Sequence, residues 1–325
     1  MAVLLNWKDK KVMKFKVSAE KERAFQKQQI LSLKDQYLGT NTINKYENDL
    51  GYKAKIDHIK LFLDKYKTDG YILDIGSNTS GESEILFHQG HKMVPNDINE
   101  IALSFSKIRS KKFRNEEMNY FAMDAHNIPF EKNVFDKVVA IEMLHHMENI
   151  KVALSEMFNT LKEGGYLFTL EPYAYNPYRR LSEIRDYFRG TIEKSFSVRK
   201  LTKLFIDAGF EIVETKKIVI PVSSEKVRTS GRIRQLLKKF YSYVSEKFPS
   251  IFGYIYLVVR KPGKLNSESV NLYDNLKCPI TGSKLFEENG YYITKNIQDE
   301  ILYRYPIYNG IPVLIKEEAL VKDKV

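Results

Sequence analysis

The chain holds one cysteine, Cys278, in 325 residues. That excludes an intramolecular disulfide framework and any metal site built on several thiolates. Long apolar runs are also missing. The best, from Ile251 to Val259, is interrupted by Gly253, Tyr254 and Tyr256 and falls well short of the about 20 residues that cross a bilayer. Ahead of Trp7 the N-terminus offers only the short Met1 to Leu5 stretch, then lysines, so it lacks the apolar core of a signal peptide and the expected location is the cytoplasm. Disorder of the whole chain is excluded in turn, because 43% hydrophobic and 13% aromatic residues are enough to build a core. A chain of this length is expected to form one large domain with an appendage.

Positive charge is in excess, 52 Lys/Arg against 41 Asp/Glu, and it is unevenly placed. Residues 71–220 are nearly neutral, with 20 basic against 21 acidic side chains. The excess sits in residues 1–70, with 15 against 9, and above all in 221–264, with 10 against 2. Such flanks attract anionic partners: nucleic acid, phosphorylated molecules or a membrane face. For residues 1–44, a basic helical extension, a merely solvated lysine-rich surface is the expectation.

From residue 70 the sequence alternates strand-like and helix-like segments. Tyr71–Ile75, His91–Val94, Asn119–Met123, Phe135–Ile141 and Tyr166–Leu170 read as strands. Helical spacing lies between them over Ser80–Gln89, from Asn99 to Phe105, and over Ile150–Leu161, stopping at Gly164-Gly165. This rhythm predicts an α/β fold with a parallel, doubly wound sheet. A helix over Val198–Ala208 and two closing strands, 210–220 and 252–259, follow, separated by an insertion too long for an ordinary connection.

In an open parallel sheet, ligands bind at the carboxyl ends of the strands. The first strand ends in Asp74-Ile-Gly76-Ser77-Asn78, a tight turn leading to a helix N-terminus. The second ends in Asp97, placed to accept both hydroxyls of a ribose. The third ends in Asp124-Ala125, an acceptor and an amide suited to an adenine edge. Each carboxylate alone reads as a cap or turn residue; three at successive strand tips read as a nucleoside pocket. A dinucleotide is disfavoured, because the pyrophosphate turn needs a glycine pattern of which only Gly76 is in place.

The ordered set Leu73-Asp-Ile-Gly76, Pro95-Asn-Asp-Ile98, Asp124-Ala125, Ile128-Pro-Phe130, Phe135-Asp136, Glu142-Met-Leu-His-His146 and Leu161-Lys-Glu-Gly-Gly-Tyr166 resembles the class I S-adenosylmethionine-dependent methyltransferases. Within them it is similar to the type 11-like branch, which contains quinone, sugar and small-molecule methylases. The resemblance covers about residues 45–262 and implies a mostly parallel, seven-stranded Rossmann-like sheet with S-adenosylmethionine as cofactor. It implies cofactor contacts from Asp74, Gly76, Ser77 and Asn78 under the methionine part, and from Asp97 and Ile98 at the ribose. Asp124 and Ala125 would border the adenine, with Glu142 and Met143 at the sulfonium end. One departure is visible: Asn78 and Ser80 stand where two further glycines are usual. Asn tolerates left-handed backbone, and Gly81 would replace the last glycine by a one-residue shift. The departure also keeps open a non-catalytic cofactor binder.

Methyl transfer from a sulfonium is an in-line displacement in which the protein aligns the acceptor and, for a hydroxyl, removes a proton. It needs no metal. His145 and His146 are the candidate bases, with a structural role as the alternative. The stretch Glu171 to Arg180 overhangs the acceptor side, and Tyr173, Tyr175, Asn176 and Arg179 offer stacking faces and donors for a sugar ring or an anionic group. The alternative is a rigid loop whose tyrosines cover the core. An amino-methylation motif is absent after the fourth strand, which leaves oxygen or carbon acceptors.

Within the 221–250 insertion, Ile233, Leu236, Leu237, Phe240 and Val244 share a helical face amid Arg232, Arg234, Lys238 and Lys239. Packing of that face on the sheet or on the C-terminal unit is the expectation; peripheral contact of 226–247 with an anionic membrane is the alternative. Residues 270–320, with Cys278-Pro-Ile-Thr281 and Tyr305-Pro-Ile…Gly310-Ile-Pro-Val-Leu314, resemble the small zinc-ribbon-like methyltransferase activator proteins with the cysteines mostly lost. A small β-rich unit without a thiolate metal site is expected there, with Cys278 a buried remnant.

The sequence thus points to a methyltransferase acting at oxygen on a small-molecule, sugar or lipid-linked glycan acceptor. The rivals are an RNA or translation-factor methylase, disfavoured by the neutral core, and a non-catalytic scaffold.

Overall fold

The computed structural model describes residues 24, 27–114, 117–174, 194–221, 231–248, 253–266, 268–294 and 301–323. Seven strands form the central sheet: β1 (Ile72–Ile75), β2 (Met93–Asp97), β3 (Phe121–Ala122), β4 (Phe135–Ile141), β5 (Leu161–Pro172), β6 (Glu211–Ile218) and β7 (Tyr254–Arg260). Their order is β3-β2-β1-β4-β5-β7-β6. β1 to β5 are parallel, and β7 runs antiparallel to both β5 and β6. β1 and β4 are buried almost end to end, as apolar runs covered on both faces must be.

Helices cover the sheet: α1 (Lys34–Gly39), α2 (Thr42–Asn48), α3 (Leu50–Lys65), α4 (Gly81–His88), α5 (Glu100–Arg114), α6 (Ile150–Thr160) and α7 (Val198–Asp207). Their starts follow ordinary capping chemistry. The side chains of Asn41, Asp49, Asn149 and Ser197 each accept a backbone N–H in the first turn of α2, α3, α6 and α7. One core packs α6 and α7 against one sheet face, with Leu154, Met157, Leu201 and Phe205 fully buried. The other packs α3, α4 and α5 on the opposite face through Ile59, Phe62, Leu86 and Leu103.

The expected doubly wound sheet is present, and three details differ from the reading of the sequence. α5 runs nine residues beyond Phe105, to Arg114, carrying polar side chains on its solvent face. β3 has only two residues, Phe121 and Ala122, paired with Asn96 and Asp97 of β2. The last strand in sequence, β7, is inserted between β5 and β6, a placement that local periodicity does not encode.

The C-terminal unit is a five-stranded antiparallel sheet of β8 (Leu285–Glu288), β9 (Tyr291–Thr294), β10 (Ile301–Tyr308), β11 (Ile311–Pro312) and β12 (Leu320–Asp323). It closes the β3 edge: Val313 bridges Ala122, and the Leu314 N–H donates to the Ala122 carbonyl at 2.8 Å. Leu276 forms an antiparallel bridge with Phe130, beyond β3 in the chain. Cys278 is buried, with its sulfur 3.2 Å from the Tyr305 hydroxyl.

Candidate active site

The sheet order reverses between β1 and β4, so the crevice outside their carboxyl ends is where a ligand has room to bind. Gly76, after β1, has φ +72°, and a Cβ there would lie 2.4 Å from Cγ of Met143, after β4. Glycine therefore serves twice at this position, in backbone and in space. Asn78 and Ser80 both adopt the left-handed backbone, with φ 50° and 51°. The turn forms without further glycines, at a cost of about 1–2 kcal/mol per non-glycine residue. The expected one-residue shift onto Gly81 does not occur. Gly81 opens α4, where a Cβ would stand 2.5 Å from the Tyr52 hydroxyl and oblige that side chain to shift.

What holds the strained turn is a buried ion pair. Arg109 of α5 donates to Glu84 of α4 through Nε at 3.0 Å and also through its terminal nitrogen. It donates as well to the Thr79 carbonyl in the turn at 2.6 Å and to the Tyr37 carbonyl at 3.2 Å. Glu84 additionally accepts from Thr42 and Ser106. One guanidinium thereby ties the turn to α4 and to the N-terminal helices.

The three strand-tip aspartates gather at this end of the sheet. Asp97 is paired to the turn: its two oxygens accept from the Asn78 N–H at 2.8 Å and the Asn99 N–H at 2.9 Å. Ile98 follows it, half-buried. Asp74 is buried, accepts from the Ser83 hydroxyl at 2.5 Å, and is pushed up to about 7 by burial and by the nearby Glu82 and Asp97 carboxylates. Asp97 is likewise raised by burial. Asp124 accepts from both the backbone and Nδ1 of His126, at 2.9 and 2.8 Å. Burial opposes its ionisation, but His126 holds it below the usual carboxylate range. Ala125 beside it is buried, while Ser77 lies half-buried with its hydroxyl 3.0 Å from that of Ser80.

Asp74 has like charges around it and no cation among the groups that shift it. A positively charged group bound here would relieve that, and S-adenosylmethionine carries an ammonium and a sulfonium. The residues present therefore fit that cofactor, and the remaining lone pairs of Asp97 suit ribose hydroxyls.

After β4, Glu142 stands in left-handed backbone with φ 51°. Its carboxylate meets the Lys55 ammonium of α3 and accepts from the Tyr254 hydroxyl of β7 at 3.1 Å. Burial works against the charge, but Lys55 outweighs it and the carboxyl falls to about 2. Lys55 also lies 3.6 Å from Glu82.

The two histidines separate in role by position. His145 is buried, with Nδ1 2.8 Å from Oε2 of Glu171. The other Glu171 oxygen accepts from the backbone N–H groups of Met143 and Leu144 at 3.0 and 2.8 Å. His146 is exposed, its ring centre 4.0 Å from that of His145. Tyr173 is buried in the main core with Lys217 over its ring at 4.3 Å. Tyr175, Asn176 and Arg179 lie outside the described residues.

Lys55, Tyr254, Arg109 and His126 did not emerge from the sequence. None lies in a motif; Lys55, Tyr254 and Arg109 act on residues far away in the chain, while His126 acts on Asp124 two positions before it. Glu171 was visible only as the first residue of its loop. Among the described residues no group of three or more His, Cys, Asp or Glu is placed to hold a metal.

Strand order and the strand-tip carboxylates are those that the resemblance to class I S-adenosylmethionine-dependent methyltransferases implies. Residues 73–169 match the family model described as "Methyltransferase domain". Among curated proteins, the chain is similar to the sterol 24-C-methyltransferase of Saccharomyces cerevisiae, 27% identical over 54% of this chain and 46% of that protein. It is also similar to the ubiquinone/menaquinone biosynthesis C-methyltransferase of Wigglesworthia glossinidia brevipalpis, 33% identical over 35% of this chain and 47% of that protein. The chain thus spans about half the length of these relatives. Among solved structures, geranyl diphosphate C-methyltransferase from Streptomyces coelicolor shares the fold, with a TM-score of 0.50, 15% identity, and coverage of 64% of this chain and 80% of that one.

Proposed function

We propose that this chain transfers a methyl group from S-adenosylmethionine to carbon on a small, largely apolar acceptor. The observation that carries the reading is the gathering of Asp74, Asp97 and Asp124 from three adjacent strand tips around a turn that Arg109 holds in place. Asp74 would neutralise the cofactor's ammonium, Asp97 its ribose hydroxyls, and the Asp124-Ala125 edge its adenine. The cofactor supplies a methyl carbon activated by the sulfonium. The acceptor class draws support from relatives named for methylation at carbon, on a sterol and on quinone precursors. Glu142 is too acidic to take a proton, so its fixed negative charge serves the sulfonium end, and proton removal falls to His146 at the open face.

Oxygen methylation of a sugar or lipid-linked glycan remains the second reading. It rests on the donors after β5, of which Tyr173 is withdrawn into the core. The turn that lacks two glycines is nonetheless formed, which supports the cofactor reading. Calorimetry with S-adenosylmethionine and its demethylated product tests the cofactor. Transfer of labelled methyl into fractionated lipid, glycan, RNA and protein extracts tests the acceptor. Label in the lipid fraction, stable to base, is the expected result; label in RNA, or no cofactor binding, would overturn the proposal.

A further inference from the structure

Between β6 and β7 the chain forms α8 (Arg232–Lys247). At 16 residues it is about 24 Å long. Arg232, Leu236, Lys239, Phe240, Tyr243 and Lys247 succeed one another at three- or four-residue spacing, so they share one face. That face is in solvent: Leu236 is 68% exposed, Phe240 67% and Tyr243 61%. Phe248, at the helix end, adds a further 54% exposed ring. Of the apolar stripe expected to pack, Leu236 and Phe240 are exposed and Val244 is half-buried, while the side chains of Ile233 and Leu237 lie outside the described residues. Leu236, Phe240 and Tyr243, set among Arg232, Lys239 and Lys247, present apolar surface to water that a partner would cover.

Charge chooses the occupant. Residues 221–250 carry 7 Lys/Arg against 2 Asp/Glu, while the whole of 71–220 is close to neutral. An apolar stripe flanked by cations matches a bilayer surface with anionic headgroups. Aromatic and leucine side chains enter the acyl boundary while lysine and arginine stems reach up to the phosphates.

The insertion is also placed where such contact would be useful. Ile218, at the end of β6, and Pro172, at the end of β5, both pair with Tyr254, the first residue of β7. The segment carrying α8 therefore leaves and re-enters the sheet at the carboxyl ends of the parallel strands, the end that holds the candidate site. Tyr254 itself donates to Glu142.

We infer that α8 docks the protein on an anionic membrane surface, with the candidate site facing that surface. The inference deepens the methyl-transfer reading by assigning the source of its apolar acceptor, a lipid-phase molecule, but the docking itself does not depend on catalysis.

The test is flotation of the full chain with mixed phosphatidylglycerol–phosphatidylcholine vesicles and with pure phosphatidylcholine vesicles, at low and high salt. The expected result is partition at least about tenfold stronger to the anionic vesicles, reduced by salt. The double variant Leu236→Glu/Phe240→Glu should lose that binding by a similar factor, with an unchanged thermal midpoint and unchanged S-adenosylmethionine affinity. A wild-type chain that ignores anionic vesicles, or a variant that floats as well as wild type, overturns the inference. So does a wild-type dimer in light scattering that the variant dissociates, which would make the occupant a second copy. Calorimetry on the same samples keeps the cofactor reading separate: binding of cofactor without flotation sinks only the docking.

Discussion

Single side chains at the strand tips divide between holding charge and holding shape. Asp74 shows the first. Its folded carboxyl sits near 7 against an ordinary 3.8, so the folded state binds more protons across that interval. The contribution of Asp74 to the stability of the cofactor-free protein is then full below about pH 4 and declines as pH rises to about 7. Asp74→Asn should raise the denaturant midpoint at pH 8 by roughly 2–4 kcal/mol equivalent, with little gain at pH 4, while weakening cofactor affinity; titration melts at the two pH values check the sign. Asp97→Ala should weaken cofactor binding by about 1–3 kcal/mol in calorimetry, since it removes a carboxylate that pins Asn78 and that would, in the proposed reading, receive the ribose. His146→Ala should lower turnover by about 10²-fold or more at unchanged cofactor affinity. His145→Ala, which strips Glu171 of a buried partner, should instead appear as about 1–3 kcal/mol of lost stability.

Among elements, the junction of α4, α5 and the turn after β1 decides whether the cofactor end is formed. Two non-glycine residues are kept in left-handed backbone there, and the Arg109–Glu84 pair is the contact that spans the junction. Arg109→Met leaves a buried carboxylate without its cation, so a loss of about 3–5 kcal/mol is expected in urea unfolding. The double variant Arg109→Met/Glu84→Gln should recover part of it, because the unpaired charge is gone. A single variant as stable as wild type would show that the turn is held by its own backbone hydrogen bonds.

Across the whole molecule, the C-terminal unit is built into the sheet edge. Leu276, Cys278, Tyr305 and Leu314 belong to the same buried cluster as Leu73 and Phe135, and Ile311, Val313 and Ile315 belong to the other. Deleting residues 265–325 should expose the β3 edge together with these apolar contacts. The truncated chain is expected to be largely insoluble, and the full chain to unfold in one cooperative thermal transition. A soluble truncation with an unchanged midpoint would show that the unit merely rests on the edge.

Local pattern was enough for the alternation of β1 to β5 with their helices, for the catch of Asp74, Asp97 and Asp124 at three strand tips, and for Gly76 in the turn. These follow from burial periodicity and from the backbone freedom of one residue type, both of which are properties of neighbours in the chain. The insertion of β7 between β5 and β6, the Lys55–Glu142–Tyr254 contact, the pairing of His145 with Glu171 and the Arg109 clamp were decided only by the folded molecule. Each joins groups 25 to 112 positions apart through a hydrogen bond or ion pair. Electrostatic partners at such separations leave no period in the sequence, whereas a buried strand must write its apolar run in consecutive residues.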